Sequence, residues 1–93
     1  MDFKNKVVLI TGASSGIGKD TAIEFAKKGS NIVLVSRTKE KLKQVADELK
    51  QFNVTVLVCQ CDVSNKDQVK EMSKTVLEKF DSVDILVNNA GFA

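Results

Sequence analysis

Histidine, tyrosine, tryptophan and proline are all absent from this chain of 93 residues, and arginine occurs once, as Arg37. Without histidine there is no Ser-His-Asp triad and no His-ligated metal, and without tyrosine no phenol can pass a proton. Cysteine is scarce as well. Cys59 and Cys61 stand two apart in an apolar run, so on a strand they share one face. They are too few for a four-cysteine zinc site, lack the spacer of a Cys-x-x-Cys redox pair and suit a disulfide poorly, which leaves buried packing as the expectation. No apolar stretch approaches the ~18 residues of a membrane span, and the opening MDFKNK has no signal-peptide layout. A cytoplasmic location with no membrane partner is therefore expected. Thirteen lysines, Arg37 and 12 acids leave a net charge of +2 with no run of five like charges, so no nucleic-acid partner is expected either.

What the chain does contain is a Val/Ile/Leu-rich composition, 43% hydrophobic with only 5% aromatic, which fits a globular interior. Its length suits one small domain rather than separate cofactor and substrate lobes. Area scaling gives roughly 5,300 Å² folded against about 14,800 Å² unfolded, a real core but a thin one.

Short apolar runs alternate with longer segments whose apolar positions recur every three or four residues, the pattern of strands alternating with helices. The expected strands are 6–11 (KVVLIT), 32–36 (IVLVS), 54–61 (VTVLVCQC) and 84–88 (DILVN). The expected helices are 16–28, with Ile17, Ala22, Phe25 and Ala26 inward and Gly29 as C-cap; 39–52, burying Leu42, Val45, Ala46, Leu49 and Phe52; and 65–80, with Val69, Met72, Val76, Leu77 and Phe80 on one stripe. Ser64 with Asp67 three residues on reads as a capping box for the third helix. Such alternation implies right-handed crossovers and an α/β fold: a Rossmann-type doubly wound parallel sheet of four strands and three helices, in order 3-2-1-4. Ligands of open sheets of this kind bind beyond the carboxyl ends of the strands, at the switch point between strands one and four.

The segment Thr11-Gly12-Ala13-Ser14-Ser15-Gly16-Ile17-Gly18 joins strand one to the first helix. One glycine allows the tight turn, one lets the backbone approach a pyrophosphate, and one allows close packing of helix on sheet. The unsatisfied amides at the helix start favour phosphate charge. A turn that merely needs positive φ does not account for three glycines at this spacing. A Walker A loop would need Gly-Lys followed by Ser or Thr, and Gly18-Lys19 is followed by Asp20.

This loop, together with Asp62-Val63 after strand three and Asn88-Asn89-Ala90-Gly91 after strand four, closely resembles the N-terminal portion of a classical short-chain dehydrogenase/reductase, from about residue 4 to 91. The resemblance implies that Gly12, Ser14, Ser15, Gly16, Ile17 and Gly18 cradle a dinucleotide, that Asp62 and Val63 meet the adenine, and that Asn89, Ala90 and Gly91 line the ribose side. It also gives Asn88-Asn89 a role in tying strand four to its neighbours. At the end of strand two, an acid would accept the ribose hydroxyls and select NAD, whereas Ser36-Arg37-Thr38 leaves room for a 2′-phosphate and a guanidinium to meet it. NADP is therefore expected over NAD.

In that family a Ser, a Tyr and a Lys from a later strand and helix perform the chemistry, with a further Asn. With no tyrosine here, no residue takes the catalytic role, and the 93 residues alone are expected to be inactive. The reading is thus a single NAD(P)-binding domain over 1–93, cut after strand four: the cofactor-binding portion of an NADP-dependent oxidoreductase acting between an alcohol and a carbonyl. The alternative is a non-catalytic dinucleotide-binding or assembly module. An unpaired strand-four edge makes a homo-oligomer the expected partner state.

Overall fold

The computed structural model describes residues 2–14 and 16–89. Its elements follow the expected alternation: β1 (Val7–Thr11), α1 (Gly16–Lys27), β2 (Asn31–Ser36), α2 (Lys39–Leu49), a 3-10 turn (Lys50–Phe52), β3 (Val56–Gln60), α3 (Lys66–Phe80) and β4 (Ile85–Asn88). All pairings are parallel, in the order β3-β2-β1-β4. Thr11 stands opposite Val35 on one side and Asn88 on the other, so the ends of β1, β2 and β4 are level.

The continuous apolar run of β2 is explained by burial on both faces. Val8, Ile10, Ile32 and Leu34 pack under α1 and α2 with Ala22, Ala26, Leu42, Val45 and Leu49. On the opposite face Val7, Leu9, Val33, Val35, Cys59 and Cys61 pack with Val76 of α3. Both cysteines are buried, free thiols on one face, as the spacing predicts. The close of α1 also follows expectation: Ser30 N donates to Phe25 O (3.1 Å) and Gly29 N to Ala26 O (3.0 Å), the paired bonds of a Schellman cap.

Four expectations are corrected. Ile17 is not inward but 76% exposed, because the buried stripe of α1 runs through Gly18, Ala22 and Ala26. Leu77 is likewise half exposed, one residue off the buried Val76. The N-cap of α3 is Asn65, whose side chain accepts from the amides of Asp67 (3.0 Å) and Gln68 (3.1 Å); Ser64 instead bonds Asp62. The third strand starts at Val56 because the Thr55 amide donates to the Asn31 side chain (3.0 Å) rather than to backbone.

Candidate functional site

The loops that leave β1, β2 and β3 meet at one end of the sheet, around a cleft of about 350 Å³. Five of the residues singled out in the sequence line it together: Gly12, Ser14, Arg37, Asp62 and Val63. Gly16, Ile17 and Gly18 open α1 beside it and are not part of its lining. Ser15, Ala90 and Gly91 lie outside the described residues.

Gly18 is buried, and a Cβ there would run into Gly12 O and stand 2.8 Å from Gly12 C. That contact seats the first turn of α1 on the loop out of β1, the close helix-on-sheet packing expected of the third glycine. Gly16 adopts φ +62° and faces open space, with nothing within 4 Å of where a Cβ would stand. The backbone at the helix start is therefore accessible, and the first turn of α1 carries no acidic residue to compete for its amides. These features fit the phosphates of a dinucleotide: a bare backbone, unopposed amides and an adjoining cleft.

Thr11 is the hinge between this loop and β4. Its hydroxyl donates to Asn88 Oδ1 (2.9 Å) and accepts from Asn89 N (3.0 Å), which ties the end of β4 to the end of β1. The tie expected of Asn88-Asn89 is therefore present, and Asn89 is brought to the switch point. Among the described residues, Asn89 Nδ2 is buried without a hydrogen-bond partner.

The opposite side of the cleft is built on two short turns. Thr38 N donates to Ser36 Oγ (3.1 Å), which folds the chain back immediately after β2 and leaves Arg37 exposed at the bend. Asp62 Oδ1 accepts from both Ser64 N (3.0 Å) and Ser64 Oγ (2.7 Å). Those bonds hold the Asp62 carboxyl below its ordinary range, and the charge of the Arg37 guanidinium on the same side of the cleft adds to the effect. Asp62 is thus an anion at neutral pH. Burial pushes both thiols up, Cys59 further by Cys61 and Cys61 further by Asp62, so neither is a poised nucleophile. No group of three or more His, Cys, Asp or Glu that could hold a metal occurs among the described residues.

Ser36, Thr38 and Ser64 also line the cleft, although the sequence assigns them no cofactor contact of their own. The Asp-x-Ser spacing at 62–64 is the signal that could have found Ser64, because an Asp bonding the backbone two residues on is a common turn device.

A family model described as short chain dehydrogenase matches residues 6–93. The chain belongs to the short-chain dehydrogenase family. Among its relatives in that family, a 3-oxoacyl-(acyl-carrier-protein) reductase of Staphylococcus epidermidis is 44% identical over 88 residues, covering 94% of this chain and 36% of the relative. The structure of L-sorbose reductase from Gluconobacter frateurii, solved with NADPH and L-sorbose, superposes with a TM-score of 0.92 at 45% identity, covering 98% of this chain and 36% of that one. A short chain dehydrogenase from Bacillus anthracis gives 0.89 at 49% identity over 95% of this chain and 35% of its own. The chain thus spans about a third of the length of the short-chain dehydrogenases it matches. No helix among its described residues is long and apolar enough to cross a membrane.

Proposed function

We propose that these 93 residues act as one nicotinamide-dinucleotide-binding unit of a short-chain oxidoreductase, and that NADP is preferred over NAD. The observation that carries the reading is the convergence of Gly12, Ser14, Arg37, Asp62 and Val63 on one cleft beside the bare start of α1. Three separated segments meet there, the glycine loop, the bend at Arg37 and the Asp62-Val63 turn, and Asn89 stands near them at the end of β4. The glycine loop offers amides to the pyrophosphate, Asp62 and Val63 offer polar groups to the adenine, and Asn89 offers a spare amide donor on the ribose side.

Cofactor choice turns on the bend after β2. No carboxylate stands at 36–38 to accept the ribose hydroxyls of NAD, and the exposed Arg37 offers a planar, doubly donating partner to a 2′-phosphate. The NADPH complex of L-sorbose reductase, a relative of nearly the same backbone over this region, is consistent with that choice. A bound nicotinamide would supply hydride to a carbonyl carbon, or take it from an alcohol. The residues described here bind and orient; none of them transfers the substrate's proton.

The test is titration with NADPH and with NADH, followed by nicotinamide fluorescence. Wild type binds NADPH more tightly, and Arg37→Ala weakens NADPH about tenfold while changing NADH less than about twofold. Failure of both nucleotides to bind below millimolar concentration overturns the binding role. An equal loss of both on Arg37→Ala overturns the phosphate role alone.

A further inference from the structure

We infer that Gln60 and Gln68 are positioning residues that set, from behind, the side of the cleft that grips the adenosine end of the cofactor; this rests on the dinucleotide reading above. A second opening of about 770 Å³ runs between β3 and α3, and Arg37 and Asp62 line both it and the cleft. Those two residues are therefore a shared partition. Gln60 and Gln68 line only the second opening, and each reaches the main chain of one residue of the partition.

Gln60 ends β3 opposite Ser36, so its side chain is level with the bend after β2. Its Nε2 donates to the carbonyl of Arg37 at 3.1 Å. Gln68, in the first turn of α3, accepts with Oε1 from the amide of Asp62 at 2.8 Å. The partners dictate these roles, since a carbonyl only accepts and an N–H only donates. A guanidinium on a flexible stem binds more tightly when the main chain beneath it is already fixed, because less freedom is lost on binding. Gln60 supplies that for Arg37. Gln68 holds the Cys61-Asp62 peptide, from which Asp62 and Val63 follow, in one orientation.

The two glutamines consequently differ in what they affect. The 2′-phosphate occurs in NADP and not in NAD, whereas adenine occurs in both. Gln60 acts on the phosphate partner and Gln68 on the adenine side, so their loss has different signatures. A purely structural role would affect both nucleotides alike at both positions.

The variants are Gln60→Met and Gln68→Met, which keep side-chain length but remove donor and acceptor. Both sites are exposed, so melting temperature should change by less than about 2 °C. In fluorescence titrations of the 93-residue chain, Gln60→Met weakens NADPH about fivefold and NADH less than about twofold. Gln68→Met weakens both about fivefold and leaves their ratio unchanged. Hydrogen exchange supplies a readout independent of nucleotide: the Asp62 amide loses protection in Gln68→Met and keeps it in Gln60→Met. If Gln60→Met shifts both nucleotides equally or neither, or if Gln68→Met changes their ratio or leaves Asp62 protected, the inference is overturned. The NADP reading survives that result provided Arg37→Ala remains selective. If wild type shows no preference for NADPH and Arg37→Ala is not selective, the reading fails and the inference falls with it.

Discussion

Gly18 occupies a position that no side chain can share, because its neighbour there is main chain. A Cβ at 18 would run into Gly12 O, an atom fixed by the turn out of β1, and the loop would have to move away from the helix. Gly18→Ala is therefore expected to cost about 2 kcal/mol, of the order of other overpacking changes, despite alanine's better helix propensity. It should also weaken NADPH and NADH together, since the displaced loop is the one proposed to hold the pyrophosphate common to both. Urea denaturation and the two titrations check this, and a variant as stable as wild type with both affinities intact would refute the packing role. Asp62 and Arg37 make the complementary point about charge. Neither is buried enough to store much energy, yet Ser64 and Arg37 keep the Asp62 carboxylate ionised where an adenine edge would meet it. The chemistry of the cleft is thus set by short polar turns rather than by a buried ion pair.

The elements themselves could be read from the chain because their burial is so uneven. β1 and β2 lie between two helical layers, and continuous apolar runs such as VVLIT and NIVLVS have no other stable placement in a fold of alternating strands and helices. Crossover chirality fixes the hand of each connection, and the order β3-β2-β1-β4 is the one expected of a dinucleotide-binding sheet. What the chain could not disclose was decided by competition for hydrogen bonds. Ser64 and Asn65 are adjacent, and each is followed three residues later by a residue able to complete a capping box. Asp62 engages the hydroxyl and amide of Ser64, which leaves Asn65 as the cap, and Gln68 then turns to the Asp62 amide instead of closing the box. The glycine loop, Arg37 and the Asp62-Val63 turn could be located in the sequence because strand ends fix where loops go. Gln60 and Gln68 could not, because a glutamine at the end of a strand or in a first helical turn carries no signal of its own. Ile17 is apolar yet faces outward, because the start of α1 is anchored on the sheet side by Gly18. The capping assignment predicts that Asn65→Ala costs about 1 kcal/mol in urea denaturation. Ser64→Ala should leave the helical content of α3 unchanged, by circular dichroism, since its hydroxyl serves Asp62.

At the scale of the whole molecule, the sheet is finished unevenly. β1 is buried along its length, while β4 alternates between half-buried and exposed residues, and among the described residues no strand pairs with its outer edge. Leu86 is 64% exposed on the α3 side of that edge, with Leu77 at 50% and Val83 at 37% also exposed. The sequence ILVN contains neither lysine nor proline, the residues that commonly discourage edge pairing. An edge of this kind is complementary to itself under a two-fold axis, with strands running antiparallel. Placing the axis at Leu86 sets Leu86 opposite its own copy, Ile85 opposite Val87 and Asp84 opposite Asn88, so that like faces meet and no like charges do. The 93-residue chain is accordingly expected to self-associate at micromolar concentration, giving a dimer or larger species by size-exclusion chromatography with light scattering. Leu86→Lys should shift it toward monomer, because it removes the exposed apolar side chain and brings two cations near each other across the axis. A wild-type chain that remains a sharply melting monomer would show that the β4 edge is not an association surface, and the same monomer in Leu86→Lys alone would tie the association to this strand.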